Sequence, residues 1–306
     1  MFDLKTPAAA LTDPSTLSSA STVNALAAKV LGETLTQFTD QLTALRVSGE
    51  PEVVHQARVA WRRFKSDLRL FKPALDEAEV EMPSLTPLQP LLQGLSALRD
   101  LDVALTETLP HWRSTYMDGS LKTSEVKARR RRVWRQMSQA LQQLADAQRR
   151  SVRRELARPA VVTTLLVLTE WVNDLPAAAQ CVGSTTVQLR RWARQRLSRW
   201  HERFKRAKQA ESKARQKIGR CNASPERQHR ARILAKRLRY GVEALDFLLP
   251  AQRSRRWRMQ AVEVQTKLGE ARDLLQAHTL AASVAADDDI LWFLQGLADR
   301  ATDQSS

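Results

Sequence analysis

The sequence predicts an all-α fold: two helical bundles of about four helices each, related by an approximate two-fold. Three observations predict it. Apolar side chains recur at helical spacing through most of the 306 residues, and the nine Gly and twelve Pro are few and fall mostly near segment ends. No alternating apolar pattern bounded by turn residues runs for four or more positions, so no strand is expected. The order of segments in the first half also recurs in the second.

The first helix is expected over Val23 to Leu45, where Leu26, Val30, Leu31, Leu35, Phe38 and Leu42 share one side and Ser21 or Thr22 can cap. Gly49-Glu50-Pro51 breaks it. A second helix from about Glu52 to Phe71 should stop before Pro73, because proline removes a donor and crowds the preceding turn. A third follows Pro87 and Pro90, carries Leu88, Leu91, Leu95, Leu98 and Leu105, and should end at Pro110. Residues 124–157 place Val133, Met137, Leu141 and Val152 on one face and many arginines on the other. A short apolar helix from Pro159 to Trp171 precedes a linker placed at 175–185, which contains Pro176 and Gly183. Helices over about 186–218, 225–249 and 252–282 follow, and a last one starts near Asp287 to Asp289. The expected organisation is therefore a disordered segment over 1–20, a bundle over 21–174, the linker, and a second bundle over 186–306.

Composition narrows the chemistry. With 43% hydrophobic residues the chain can fill the cores of two globular units. Cys181 and Cys221 form neither a CxxC nor a zinc-ligand spacing, so a reducing, cytoplasmic setting fits, with no metal and no cofactor expected. No signal peptide is read at the N-terminus, and the apolar run Val161 to Trp171 is too short to cross a bilayer. The net charge of +16 is concentrated: residues 186–258 hold 23 basic and five acidic side chains, whereas residues 1–54 hold three basic and six acidic. Such a field attracts polyanions and destabilises the fold until a counter-anion arrives. A merely solvated, arginine-rich surface would not need that clustering.

The repeat is most specific in one basic segment. His55-x-x-Arg58-Val59-x-x-Arg62-Arg63-Phe64-Lys65 returns 174 residues later as His229-x-x-Arg232-Ile233-x-x-Lys236-Arg237-Leu238-Arg239. The histidine, the apolar positions and every positive charge are kept. A second match, Leu95-x-x-x-Arg99-Asp100-Leu101 with Leu268-x-x-x-Arg272-Asp273-Leu274, has an offset of 173. On a helix, His55, Arg58, Arg62, Lys65 and Arg69 form one stripe about 21 Å long at 1.5 Å rise per residue. Its copy places His229, Arg232, Lys236 and Arg239 at the same spacing, with Glu243 in place of the last charge. A solvated face would alternate signs at i, i+4, as Arg63 and Asp67 do, but Arg58, Arg62 and Lys65 have no acid at that spacing. The residues thus imply an extended, phosphate-like anion: guanidinium forks grip two oxygens, lysines add mobile charge, and histidines donate from one or both nitrogens.

These segments resemble the CHAD family, the conserved histidine α-helical domain. The likeness is carried by His55-Gln56-Ala57-Arg58-Val59-Ala60-Trp61-Arg62-Arg63, by Leu98-Arg99-Asp100-Leu101-Asp102-Val103, and by the stretch from His229 to Tyr240. It extends over roughly residues 20–300. The resemblance implies paired four-helix bundles with a basic central surface that binds inorganic polyphosphate and associates with polyphosphate granules. It implies contacts from His55, Arg58, Arg62 and Lys65, and from His229, Arg232, Lys236 and Arg239. Arg63, Arg69 and Arg237 belong to the same basic helices and join the expected surface. Asp100 and Asp273 are expected to pair with those arginines and orient them. The further arginines of 129–135 and 190–199 lie outside the matching motif.

Enzymatic readings find little support in the sequence. There is no G-x-x-x-x-G-K-[ST] loop to cradle nucleotide phosphates. The Glu-x-Glu-x-Lys string of the tunnel triphosphatases that often accompany CHAD domains is not matched by Glu79-Val80-Glu81-Met82-Pro83, which lacks the lysine. Phosphotransfer through histidine is disfavoured by two equivalent histidines with no acidic partner inside either motif. A role for Asp100 with Asp102, or for Asp287 to Asp289, in holding a metal is explained as well by capping and solvation. The competing non-enzymatic partner is nucleic acid, since eight Trp accompany the charge, three of the aromatics being Trp192, Trp200 and Phe204 of the most basic region. Their spacings of eight and four are those of core positions, so packing is the expected role. No membrane partner is expected, and the oligomeric state is not legible.

Overall fold

The computed structural model of the chain describes residues 22–118, 123–177, 185–218, 225–267 and 270–304. The expected disordered segment over 1–20 lies outside them, as do residues 178–184 of the expected linker. Among the described residues every regular element is helical: α1 Val23–Val47, α2 Pro51–Glu77, α3 Gln89–Val103, α4 Leu109–Asp118, α5 Ser124–Leu156 and α6 Pro159–Asp174. There follow α7 Thr186–Ile218, α8 Pro225–Ala244, α9 Ala251–Lys267, α10 Glu270–Ser283 and α11 Asp288–Gln304. The all-α class is as the spacing predicts. Thr22, the expected cap, accepts from the Ala25 N–H at 3.0 Å through its hydroxyl.

Several elements depart from the expected bounds: α8 ends at Ala244, short of 249, the one helix expected over about 252–282 is described as α9 and α10, and two more departures fall at proline. Helix α2 runs through Pro73 to Glu77. A proline at this position leaves the carbonyl of Arg69, four residues back, without its helical donor. Arg196 of α7 supplies one: its Nη2 donates to the Arg69 carbonyl at 2.6 Å and its Nε to the Leu70 carbonyl at 2.9 Å. The second departure is at Pro110, which lies inside α4 instead of ending the preceding segment. A π-helical turn, Ala104–Thr108, joins α3 to α4, and Leu109 N–H bonds the Ala104 carbonyl across it. The extra residue in that turn shifts the ladder register just ahead of the proline, so the chain stays helical.

The described residues form two compact units, each discontinuous in sequence. The first takes its described residues from within Met1–Gln37, Val59–Pro83 and Leu166–Gln265, the second from within Phe38–Arg58, Ser84–Leu165 and Thr266–Ser306. Each therefore takes segments from both sides of residues 175–185, and α1, α2, α6 and α9 each contribute to both.

In the first unit Leu31, Phe64, Leu70, Phe71, Leu197, Phe204 and Leu238 are buried. Side chains of this size each gain about 1.5–3 kcal/mol on full burial. Trp192 of α7 stacks on Phe71 of α2 with centroids 5.4 Å apart. Helices α7 and α8 approach closely at Gly241, where an added Cβ would lie 2.9 Å from both Leu197 and Trp200. In the second unit one cluster joins Leu101, Ala104 and Leu109 to Trp134, Met137 and Leu141 of α5 and to Ala277, Ala281, Ile290 and Leu294 of α10 and α11. None of the described helices is long and apolar enough to cross a membrane.

Candidate anion-binding surface

The basic repeat is helical in both copies. Its first copy lies on α2, whose apolar positions Val54, Ala57, Trp61 and Phe64 are buried while His55, Arg58, Arg62 and Arg63 are half-buried and Lys65 and Arg69 exposed. The second copy lies on α8 and buries Ala231, Ala235 and Leu238, leaving His229 exposed and Arg232, Lys236, Arg237 and Arg239 half-buried. The 3.6-residue period thus puts the charged positions on the flank of a packed helix, as the stripe predicts. At the second unit's end of α2, Arg58 Nη1 donates to the Leu95 carbonyl of α3 at 3.4 Å.

In the first unit the predicted residues separate into two groups. Arg63 and Arg239 turn toward the protein. Both reach the Glu243 carboxylate, Arg63 Nη2 at 3.3 Å and Arg239 Nε at 3.4 Å, and both guanidinia lie near the Tyr240 ring, 5.9 and 4.9 Å from its centroid. This clasp ties α2 to α8. Arg62 has a buried Nε that donates no hydrogen bond among the described residues, a position that costs about 1–3 kcal/mol.

Lys65, Arg69 and Arg237 form the second group, and here cation meets cation. Burial holds the Lys65 pKa below its ordinary value, and the charges of Arg69 and Arg237 push it further down. Arg237 is lowered in the same way, by burial and then by Arg69 and Arg203. Arg196 is lowered by burial and by Arg203 and Arg199. Three helices, α2, α7 and α8, therefore bring Lys65, Arg69, Arg196, Arg199, Arg203 and Arg237 into one mutually repelling set. Arg203 joins although it lies outside the repeat. The signal for it was the spacing of Arg196, Arg199 and Arg203 at i, i+3 and i+7 on α7, which makes a further one-sided cationic face.

Buried carboxylates sit beneath the first group. Asp67 is 1% exposed. Burial holds its pKa well above the usual carboxylate range, with Arg63 pulling it down, Glu243 and Glu33 pushing it up, and a Thr34 hydrogen bond lowering it. Asp67 is thus not the solvated partner of Arg63 that the i, i+4 spacing suggests. Glu33 is also raised, chiefly by burial.

In the Arg-Asp segment of α3, the arginine contacts run from neighbours of Asp100. Arg149 Nη2 bonds Asp102, which is 3% exposed, at 3.0 Å, and Arg99 Nη2 bonds Glu107 at 2.8 Å. Asp102 is raised by burial, with Arg149 and Arg99 opposing. Asp100 is half-buried on α3 and Asp273 half-buried on α10. Asp287 caps α11 by accepting from the Asp289 N–H at 3.1 Å and also pairs with Arg129 at 3.1 Å. Among the described residues no three His, Cys, Asp or Glu side chains gather as a metal site would require.

The family model described as the CHAD domain matches residues 29–282. The chain belongs to the CHAD domain family. Among solved structures it is similar to the crystal structure of the CHAD domain from the plant Ricinus communis. The two share 25% sequence identity with a TM-score of 0.69, and the match covers 91% of this chain and 86% of the plant one. No curated protein matches the chain. The matched residues of this CHAD domain hold both copies of the basic repeat and all of α7, so the cationic set lies within the family region.

Proposed function

We propose that this CHAD domain binds inorganic polyphosphate without transforming it and, in the cytoplasm, associates with polyphosphate granules. The observation that carries the reading is the set Lys65, Arg69, Arg203 and Arg237, whose mutual repulsion would be relieved by a ligand with one negative charge per repeating unit. The family resemblance adds His55, Arg58 and Arg62 on α2 and His229, Arg232 and Lys236 on α8 as further contacts. Guanidinium forks from successive turns suit a chain of linked phosphates better than one compact anion. The sequence holds no nucleotide-binding loop and neither motif pairs a nucleophile with an activating base, and the described residues gather no metal cluster, which is why binding is proposed in place of catalysis.

Nucleic acid is the alternative polyanion. Against it, Trp200 and Phe204 are buried and the Trp192 ring is stacked on Phe71, so the aromatics of the most basic region are engaged in packing instead of being presented to bases. Filter binding of long-chain polyphosphate across a salt series, with single- and double-stranded nucleic acid as competitors, tests the reading. Polyphosphate should bind with a steep salt dependence and resist displacement at equal phosphate concentration. Displacement by nucleic acid under those conditions would sink the claim.

A further inference from the structure

We infer that a cleft between α4 and α5 in the second unit is a separate anion site that takes a compact triphosphate group. The cleft has a volume of about 270 Å³ and is lined by Arg113 of α4 and by Arg131, Trp134, Arg135 and Ser138 of α5. That size lies just below the roughly 300–1,000 Å³ typical of drug-sized ligand pockets, so the occupant is small.

The lining follows from helix geometry. Residues 131, 134, 135 and 138 stand at i, i+3, i+4 and i+7 and therefore share one face of α5. Trp134 is buried, and its ring packs on Tyr116 of α4 with centroids 5.2 Å apart, which fixes the floor of the cleft and the spacing of the two helices. Because the ring is occupied in that way, the floor offers no free face on which a base would stack.

Charge placement supplies the second argument. Two carboxylates near this end of α5 are already engaged: Asp287 pairs with Arg129 at 3.1 Å, and Asp289 pairs with Arg130 at 3.4 Å and accepts from the Tyr116 hydroxyl at 2.9 Å. Arg130 further donates to the Tyr116 carbonyl at 2.9 Å. Asp287 and Asp289 thus serve Arg129 and Arg130, and none of the described residues that line the cleft is acidic. Like charges at i, i+4 on a helix are mutually destabilising, yet Arg131 and Arg135 stand together and face Arg113 from the neighbouring helix. Three exposed guanidinia and a serine hydroxyl converging on one concavity match the oxygens of two or three linked phosphoryl groups. The site shares no residue with the α2, α7 and α8 set and does not depend on it.

Calorimetric titration of the full chain with inorganic tripolyphosphate, and in a parallel arm with a nucleoside triphosphate, tests the inference. The Arg232→Ala/Arg237→Ala background weakens competing uptake by the repeat helices. There tripolyphosphate should still show saturable binding, and adding Arg131→Ala/Arg135→Ala should weaken it about tenfold or more while helicity is unchanged. Arg113→Ala alone, on the other wall, should weaken it as well. The nucleoside triphosphate should bind comparably if the phosphates are what is recognised. The inference is overturned by absence of saturable binding in the repeat-helix background, by full affinity after loss of the cleft arginines, or by binding of the nucleotide alone.

Discussion

Arg63 on α2 reaches Glu243 on α8 at 3.3 Å, and Glu243 stands at the repeat position that Arg69 fills in the first copy. The one sign change between the two basic helices is thus where they are tied together within the first unit. Glu243 neutralises Arg63 and Arg239, the two cations that would otherwise meet across the helix pair. Replacing it by glutamine keeps the volume and removes the charge. Glu243→Gln should lower stability by about 1–2 kcal/mol, between the values for exposed ion pairs and for charged hydrogen bonds. It should also tighten polyphosphate binding at low salt, because the field becomes more positive. Urea unfolding and filter binding on the same protein check both; weakened binding would mean that the carboxylate presents the two guanidinia to the ligand.

Asp67 gives a pH dependence of definite sign. A carboxyl whose folded pKa lies above its unfolded value of about 3.9 holds its proton more tightly in the native state. Its contribution to stability is complete below that pH and is lost as pH rises through the raised folded value. Glu33, raised in the same direction, adds to the trend. The Asp67→Asn variant should therefore lose less stability than the parent between pH 4 and pH 8 (roughly the span from the unfolded carboxylate value upward). Urea midpoints across that range decide; parallel curves for the two proteins would show that Asp67 is ionised throughout.

Arg203 tests the part of the surface contributed by α7. Its charge depresses both Arg196 and Arg237, and its own side chain is exposed. Arg203→Ala should weaken polyphosphate binding uniformly over chain lengths and reduce the salt slope by about one unit, as expected for loss of one phosphate contact. Without ligand the variant should be at least as stable as the parent, since a repulsive charge has gone. An unchanged salt slope would remove α7 from the binding surface.

Two glycines separate packing from helix propensity. At Gly241 a methyl would lie 2.9 Å from Leu197 and Trp200, so Gly241→Ala should destabilise by about 1–3 kcal/mol through overpacking of α7 on α8. At Gly296, in α11, nothing lies within 4 Å of an added Cβ. Gly296→Ala should stabilise by about 0.4–1 kcal/mol by restricting the unfolded chain. Thermal or urea unfolding of the two single variants reads both signs.

How much of this was legible in the sequence varies by element. The long apolar periodicities gave the helical class and the faces of α1, α5 and α7, because a 3.6-residue pattern is a property of one segment alone. The repeat motif gave the charged flanks of α2 and α8 for the same reason. What one segment cannot state is which flank its neighbour covers. Asp67 looked like the solvated partner of Arg63, but Thr34 and Glu33 of α1 lie against it and bury it. The group of Lys65, Arg69 and Arg237 with Arg203 required three helices to be placed, so Arg203 was visible only as a one-sided spacing without a destination. Likewise the prolines were sound local stop signals, overridden by a π turn at Pro110 and by a guanidinium from a distant helix at Pro73.

That last contact couples two positions far apart in the chain. Pro73 is tolerated because Arg196 donates to the two carbonyls around the missing bond. Loss of the guanidinium should therefore cost more with proline at 73 than with alanine there. The effects of Pro73→Ala and Arg196→Ala on stability should be far from additive in a double-mutant cycle. What position 73 tolerates is thus decided by a side chain more than a hundred residues away in the chain.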